Sequence, residues 1–523
     1  MTPRCCGNAA RALLLSIAAT SAIPEQLSSQ ARSVVPDARC GLPMPPPFSQ
    51  LSAPTVTVRL IAEGEFPDPD VAAARAVSVL IRDILTERAP VTRLSSIDVQ
   101  RQISPTLTAA NDLSEIAPGG RLLSAIVRRD GDSVSVVWRL KTAGYALTNT
   151  DARRTAVRID DITRVALLLA ETAAQASVFS SQSLGTPPPP LGAVAAGEAY
   201  VNGLAEIQST KPDALRRARA ALVKATTIAT SSADVWRWRA RAEYSLIEWN
   251  RGSGSKALHG LQVTLIGSAI RATQLAPRSA GAQVALADAY LASGDREKAV
   301  QAIAVATTLD ADGPGVGRVS SDLSRMRGDD ARALAELRTA VQMAPRDGGL
   351  LFALASLART SGETRLACYA LNAAVAADDE LAPAYALRAL VRAELGERRT
   401  AWADAETATR LGHPEWGERA AAILDAKYGD RFHADIRLDA VGGLLARPAN
   451  YLDAILLAQA AVATSRSETV PNLVAAWPCK ELRRTALVRD LRAIGVLVTD
   501  SCAAATSFGG TVTPPPVSRR KPD

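Results

Sequence analysis

Residues 286–306, LADAYLASGDREKAVQAIAVA, contain the pattern that decides the fold. Gly294 in this stretch is the first of four glycines that stand 34 residues apart, and small residues follow each glycine at fixed distances. The glycines are Gly294, Gly328, Gly362 and Gly396; the alanines five residues on are Ala299, Ala333, Ala367 and Ala401, and those twelve residues on are Ala306, Ala340, Ala374 and Ala408. Small residues that recur in phase let two helices approach closely. The spacing therefore predicts a stack of helical hairpins.

The register extends beyond these four repeats. Larger side chains, at Ile303, Leu337 and Leu371, stand between the two small positions, with Ala405 in the last repeat. Two more second helices fit further upstream, at Gly260, Leu265, Ala269, Ala272 and Pro277 and at Ala218, Leu222 and Ala225. The step from Ala225 to Ala272 exceeds the repeat by 13 residues. We therefore expect about six hairpins, one with an insertion around residues 251–255 that lengthens the loop between its helices.

This period, with its turn glycine, second-helix alanines and the terminal proline Pro345, resembles the tetratricopeptide repeat. Ala311, Asp379 and His413 stand where other repeats would carry that proline. The resemblance implies an α-solenoid of stacked hairpins. The alternative is a helical bundle without repeats, which an alanine-rich sequence also permits.

The residues before the repeats show a different pattern of apolar and polar side chains, which is typical of strands as well as helices. Residues 56–60 alternate apolar and polar, as a half-buried strand does, and Asp70 then precedes an amphipathic helix that it can cap. Residues 122–128 and 133–140 read as two strands around Gly131, which tolerates the backbone of a tight turn. This region is predicted to be a small α/β domain.

Residues 120–174, with an Arg-Arg-Asp-Gly-Asp hairpin at residues 128–132, resemble the end of the TolB amino-terminal-like domain. Two departures stand at residues 61–64, which lack the Pro-Phe-Asn motif of that family, and at residues 147–148, where its Trp-Ser is replaced. Residues 481–497 are similar to the closing helix of proteins that join a TolB-like domain to such repeats. The predicted fold is mostly α, a solenoid preceded by a small α/β domain.

Composition divides the chain further, since proline-rich and polar stretches bury too little apolar surface to fold alone. The expected segments are a signal peptide over 1–22, a disordered leader over 23–54, the TolB N-terminal-like domain over 55–180, a proline-rich linker over 181–194, the repeats over 195–412, a helical cap region over 413–505 and a disordered tail over 506–523. The linker contains Pro187–Pro190, which we expect to act as a stiff spacer between two domains.

Positive charge, an apolar run and small residues follow one another over residues 1–22, as in an export signal. The apolar run is too short for a membrane span, and no later segment reaches that length. We expect a periplasmic or secreted protein. The alternatives are that these residues form a buried amino-terminal helix and that the protein is cytoplasmic.

Four cysteines remain after removal of such a signal: Cys40, Cys368, Cys479 and Cys502. An even set is compatible with an oxidising compartment. We predict a disulfide between Cys479 and Cys502. The alternative is that the thiols are free and buried as small apolar groups.

The charge pattern argues against a nucleic-acid partner. The net charge is +7, but the 60 basic residues are interleaved with 53 acidic ones and no basic block accompanies aromatic side chains. The partner is therefore expected to be a protein or peptide.

No catalytic motif is apparent. The three histidines, His259, His413 and His433, have no nucleophile motif nearby. Asp430 and Asp435 flank His433, but no second cluster completes a metal site. Residues 313–317 are rich in glycine but lack the lysine of a phosphate-binding loop. We expect neither enzymatic activity nor a cofactor.

In the tetratricopeptide family, ligands lie on the concave side formed by the first helix of each hairpin. The register places Asp288, Arg318, Asp322, Arg325, Ser356 and Arg359 on that side. Its arginines can hold carboxylates of an extended peptide by charge-assisted hydrogen bonds. The predicted function is a non-enzymatic protein-binding scaffold. The alternatives are a solvated helix face without a ligand and a cytoplasmic regulatory module that works with a cyclase or DNA-binding domain on another chain.

Overall fold

The computed structural model describes most of the chain between residues 55 and 498. The described ranges are 55–65, 67–88, 93–102, 120–142, 152–175, 184, 186–207, 209, 211–250, 256–345, 347–412, 414–443, 448, 450–475, 477 and 482–498. Within them a five-stranded sheet comes first and an array of paired helices follows. No helix in these ranges is long and apolar enough to cross a membrane.

The sheet is mixed and has the strand order β2-β1-β3-β4-β5. Its strands are β1 (Thr55–Ala62), β2 (Arg93–Arg101), β3 (Arg121–Asp130), β4 (Ser133–Thr142) and β5 (Arg153–Arg158). Strand β1 is parallel to β2 and β3, whereas β3, β4 and β5 are antiparallel neighbours. Helices α1 (Pro69–Arg88) and α2 (Ile162–Gln175) share a hydrophobic core with one face of the sheet. A small α/β domain therefore precedes the helical array, as predicted.

Two strands of this sheet escape the sequence pattern. The predicted hairpin is confirmed, since β3 and β4 flank Gly131, whose φ of 54° suits a tight turn. In strand β2 the apolar residues Leu94 and Ile97 are three positions apart, so the sequence does not alternate as a strand usually does. They nevertheless pair with Val56 and Val58 of β1, because the register shifts between Val56 and Thr57. Strand β5 lies at the sheet edge, where few apolar residues are needed.

The cap of α1 differs from the prediction. Asp68, not Asp70, caps the first turn of the helix, because the backbone amide of Asp70 donates a hydrogen bond to Asp68 Oδ1 at 2.9 Å. Asp70 Oδ1 instead accepts the amide of Arg129 at 2.6 Å and ties the helix to β3. Desolvation raises the pKa of Asp70. Both aspartates precede the apolar stripe, so sequence position does not distinguish them.

Within the described residues the helical array consists of seven pairs, one more than the six that the sequence predicted. They are α3 (Val194–Glu206) with α4 (Pro212–Ile228), α5 (Ala233–Asn250) with α6 (Lys256–Leu275), α7 (Ala280–Ser293) with α8 (Arg296–Leu309), α9 (Pro314–Arg327) with α10 (Asp330–Met343), α11 (Gly348–Thr360) with α12 (Thr364–Ala377), α13 (Ala382–Glu394) with α14 (Arg398–Arg410), and α15 (Pro414–Lys427) with α16 (Arg431–Ala440). This mostly helical stack of hairpins confirms the predicted fold class.

The repeat glycines stand at the ends of first helices. Gly294, Gly328, Gly362 and Gly396 have φ of 87°, 84°, 79° and 83°, which a residue without Cβ adopts at little cost. The second pair is longer than the others: α5 has 18 residues and α6 has 20, against 13 or 14 for each helix from α7 to α14. Much of the expected insertion is therefore helical, and residues 251–255 themselves lie outside the described residues.

The sheet and the first helix pairs share one hydrophobic core. Tyr200 and Leu204 of α3 are fully buried in it, and α3 packs against α1. After the run Pro187–Pro190, the amide of Leu191 donates to Asp160 O at 2.9 Å. The proline run therefore joins two parts that pack together and does not hold them apart as the spacer we expected.

Three helices beyond the seventh pair fold back onto the array. They are α17 (Tyr451–Ala463), α18 (Val470–Ala475) and α19 (Leu482–Ala493). Leu456 of α17 joins the core of α13 and α15, and α19 reaches α9. Trp416 and Leu424, which we expected in a cap on the open end, are buried in α15 in the same core as α13 and α14.

Candidate partner-binding surface

The predicted binding residues lie on α7, α9 and α11, which are first helices of consecutive pairs. We call the side of the array formed by the first helices from α7 to α15 the first-helix side. It is already partly occupied, because α17 packs against α15 and Leu452 packs against the cores of α11 and α13, while α19 contacts α9. The chain thus binds its own carboxy-terminal helices where a partner was predicted.

Arg325 is the centre of the contact with α19. Its guanidinium forms an ion pair with Asp490 and lies 3.3 Å from Tyr451 Oη, which donates to Asp490 Oδ2 at 2.5 Å. Asp490 is 1% exposed, so this carboxylate depends on its two partners for compensation. Burial, reinforced by Asp490, raises the pKa of Tyr451 well above its usual value. The tyrosine therefore acts as a neutral donor.

A second arginine of α19 strengthens the contact. Arg489 Nη1 donates to the carbonyl oxygen of Arg325 at 2.8 Å, and its Nη2 lies 2.7 Å from Asp330 Oδ1. The carbonyl belongs to the last turn of α9, where it also accepts the amide of Gly328 at 3.0 Å. Helix α19 is thus held by one arginine from each side of the contact.

Asp288, Arg318 and Asp322 form a separate cluster. Arg318 Nη2 lies 2.5 Å from Asp288 Oδ2, its Nη1 lies 3.6 Å from Asp322 Oδ2, and its guanidinium stands 5.7 Å from the ring centroid of Tyr244. Burial by itself would lower the pKa of Arg318, but Asp288 and the other neighbours outweigh it and raise that pKa. The cluster joins α7 to α9 and is mostly shielded from solvent.

Arg359 and Ser356 lie one helix pair further along, on α11. Arg359 is 6% exposed and reaches α13, where Glu394 Oε1 accepts from its Nε at 2.9 Å and from its Nη2 at 2.5 Å. Ser356 is half-buried. The structure therefore does not bring the six predicted residues into one site. It divides five of them between two clusters and an inter-repeat ion pair, to none of which Ser356 belongs, and the partner-binding role of each residue remains a prediction.

Sequence reasoning did not find the acceptors of Arg325 and Arg359. Glu394 follows Arg359 by 35 positions, about one repeat, so the register contained a signal for this pair. Asp490 follows Arg325 by 165 positions, and no periodicity relates them. Only the return path of the chain after α16 brings these two residues together.

Cys368 and the acidic residue Asp430 beside His433 have structural roles. Cys368 in α12 is buried and disulfide-bonded, so the alternative of a free thiol is wrong for this residue. The predicted pair Cys479 and Cys502 lies outside the described residues. Asp430 caps α16 by accepting the amide of His433 at 3.1 Å. No group of metal-binding side chains occurs within the described ranges.

The geometry defines a class of protein. The described helices form a tetratricopeptide-like array of helical hairpins, with buried arginine–carboxylate pairs between and within its helix pairs.

No family model and no curated protein sequence matches the chain. Among solved structures it is similar to the human IFIT1 dimer with PPP-AAAA, at 16% identity over 64% of this chain and 78% of that one, with a TM-score of 0.42. It is also similar to Pseudomonas aeruginosa pilF (16% identity, 40% and 91% coverage, TM-score 0.32) and to yeast Tom70 (16%, 60% and 64%, 0.35). These values are too low to transfer a function.

Proposed function

We propose that this protein is an exported, non-enzymatic scaffold that binds a partner protein on the first-helix side. The observation that carries the proposal is the docking of α19, because this surface already holds a helix through a carboxylate on Arg325. A partner that presents an acidic side chain would take the place of Asp490. Asp288, Arg318, Asp322, Ser356 and Arg359 extend the proposed surface onto the neighbouring helices.

The physical basis is a charge-assisted hydrogen bond in a shielded place. The Arg325 side chain is 16% exposed, and an arginine so desolvated binds a carboxylate more strongly than one in bulk water. Partner binding competes with α19, whose own bonds come from Arg489 and Asp490. The affinity for a partner therefore depends on how firmly α19 is held.

Affinity purification with quantitative mass spectrometry tests the proposal. The partner captured by the wild-type protein should be lost with Arg325→Gln and with Arg325→Glu combined with Arg359→Glu. It should be retained with Arg332→Glu, a matched control whose side chain is 64% exposed on α10.

The combined variant Arg489→Ala and Asp490→Asn should increase capture, because it loosens α19. Circular dichroism verifies that each variant keeps its helices. Unchanged capture by both Arg325 variants would overturn the proposed site.

Export is supported by the signal-like residues 1–22 and by the disulfide at Cys368, since disulfides persist in oxidising compartments. Cell fractionation, amino-terminal sequencing and thiol labelling without reductant test this part. We expect a cleaved protein outside the cytosol with no labelling at Cys368. An intact cytosolic protein that retains Met1 and a reactive Cys368 would favour the regulatory module instead.

We also infer a relation between the sheet domain and the TolB amino-terminal-like domain. The supporting observations are the β3–β4 hairpin at residues 128–132 and the helix α2 that closes the domain. A solved structure of residues 55–180 in the full chain should then superpose on that domain with the same strand order. A different strand order would contradict the relation.

A further inference from the structure

Among the described residues, strand β5 forms an edge of the sheet. It pairs only with β4 among the described elements, and Arg153, Arg154, Ala156 and Arg158 are exposed along it. An edge strand presents a row of backbone N–H and C=O groups that can pair with another extended chain. The edge is therefore able to accept a sixth strand.

This edge is also strongly basic. Strands β4 and β5 together contain Arg139, Lys141, Arg153, Arg154 and Arg158 and no aspartate or glutamate. Because Arg154 pairs with Val137 and side chains alternate along a strand, Arg139, Lys141, Arg154 and Arg158 all project from one face. Desolvation, and then the repulsion of Arg139, lower the pKa of Lys141.

Among the described residues, acidic side chains lie near the Arg158 end of the strand, whereas residues 143–151, which include Asp151, lie outside the described ranges. Arg158 Nε lies 3.1 Å from Asp160 Oδ1, but the Arg158 side chain remains 64% exposed. Asp130 ends β3, and Asp132 lies in the turn between β3 and β4.

We propose that β5 is the docking edge for an extended acidic segment of a partner protein, which adds to the sheet as a sixth strand. Acidic side chains four positions apart would lie beside Arg154 and Arg158, and apolar side chains between them would lie beside Thr155 and Val157 on the other face. This surface lies on the sheet domain and is distinct from the first-helix side.

Other occupants fit less well. A second copy of β5 would bring arginines against arginines, which is unfavourable across a strand pair. A single-stranded nucleic acid needs aromatic side chains for stacking, whereas the basic face of β4 and β5 carries none and Trp138 is buried on the opposite face. Charge complementarity together with the backbone edge of β5 favours an acidic peptide.

Fluorescence anisotropy with the full chain at low ionic strength tests this proposal. The probe is a labelled peptide with the central sequence Glu-Val-Ser-Val-Glu, and its matched control has lysine in place of glutamate. The acidic peptide should bind and the lysine peptide should not. Arg154→Glu combined with Arg158→Glu should weaken binding about tenfold or more. Arg271→Glu combined with Arg431→Glu, at exposed helical positions, should leave it unchanged.

Backbone methylation separates strand addition from simple charge attraction. Only alternate amides of an added strand point toward β5. N-methylation of one alternate set of peptide amides should abolish binding, and methylation of the other set should leave it intact. Equal binding of both methylated peptides would overturn strand addition. Unaltered binding to the Arg154/Arg158 variant, or tighter binding of an oligonucleotide at the same face, would overturn the proposal as a whole.

Discussion

Asp404 shows, at the level of single residues, how buried charge joins helices in the array. Its Oδ2 lies 2.8 Å from Arg388 Nε and 2.9 Å from Arg392 Nη1, and its Oδ1 lies 2.6 Å from Arg388 Nη2. Asn372 on the preceding pair accepts from Arg388 Nη1 at 3.0 Å. The network therefore links α12, α13 and α14 through one carboxylate that is 3% exposed.

Replacing Asp404 with alanine should be strongly destabilising, because two guanidinium groups would lose their shared acceptor. We expect the free energy of unfolding to fall by about 3–5 kcal/mol. The matched control is Asp213→Ala, whose side chain is 76% exposed in a pair with Arg216 and whose loss should cost less than about 1 kcal/mol. Urea denaturation followed by circular dichroism measures both. A loss of similar size in the two variants would contradict the role of burial.

Glu87 lies on α1 where the sheet domain meets the helical array, and its protonation changes near neutral pH. Burial, and then the nearby Asp83 carboxylate, raise the pKa of Glu87 to about 7, although Arg237 opposes the shift. Asp83 and Asp234 both bind Arg237, with Asp83 Oδ1 at 2.8 Å and Asp234 Oδ1 at 3.3 Å from the guanidinium. Helix α1 of the sheet domain thus meets α5 of the array through an acidic cluster around one arginine.

The pH dependence of stability follows from the direction of this shift. Between the unfolded pKa of about 4.5 and the folded pKa of about 7, the folded protein holds the proton of Glu87 more tightly than the unfolded chain does. The contribution of Glu87 to the free energy of unfolding therefore falls as pH rises through this window, by up to about 3 kcal/mol.

Glu87→Gln should raise the unfolding temperature at pH 8 and change it little at pH 5. The exposed control Glu297→Gln should do neither. An equal effect of Glu87→Gln at both pH values would refute this assignment.

At the scale of elements, Gly197 allows α3 to pack directly on the sheet domain. A Cβ added at this position would stand 2.6 Å from the carbonyl carbon and oxygen of Ile159 and from the amide nitrogen of Asp160. These are backbone atoms that follow β5, so they cannot swing aside as the end of a side chain does. The contact explains how the helical array begins against the sheet.

Gly197→Ala should therefore separate α3 from the sheet domain and lower the free energy of unfolding by about 1–3 kcal/mol. Gly267→Ala is the matched control, because Gly267 lies within α6 with no atom within 4 Å of an added Cβ. That change should stabilise the protein by about 0.5–1 kcal/mol, since alanine favours a helix. Differential scanning calorimetry gives both values. Stabilisation by Gly197→Ala would show that the contact is not needed.

The sequence predicts some elements better than others. Elements that depend on contacts between residues close in sequence are predictable, whereas those that depend on contacts between distant residues are not. The hairpins around Gly294 and Gly328 repeat a local pattern, so periodicity alone reveals them. Strand β2 depends on a shifted pairing with β1, a non-local feature that no alternation records. The return of α19 depends on Asp490 meeting Arg325, 165 positions apart, so the arginine was predictable as a carboxylate binder but its acceptor was not.

At the scale of the whole molecule, contacts between distant helix pairs close the array on itself. Trp249 at the end of α5 packs against Trp416 of α15, with ring centroids 5.1 Å apart and ring planes inclined by 55°. The Lys211 side chain lies beside Gly412, and so the start of α4 approaches the end of α14. The second helix pair thus contacts the seventh. In a simple solenoid each helix pair contacts only its neighbours in the array. The contact between the second and seventh pairs therefore arises only when the complete array is folded.

Trp249→Ala should open this closure. Loss of a half-buried indole and its aromatic partner should lower the free energy of unfolding by about 2 kcal/mol and increase the radius of gyration measured by small-angle X-ray scattering. Trp236→Ala is the matched control on the same helix, because Trp236 bonds to Thr230 O at 3.0 Å and stacks on Arg239 within its own neighbourhood. It should reduce stability without expanding the molecule. If Trp249→Ala lost stability but kept the wild-type scattering curve, the remaining contacts between α4 and α14 would suffice for closure, and the Trp249–Trp416 pair would have only a local role.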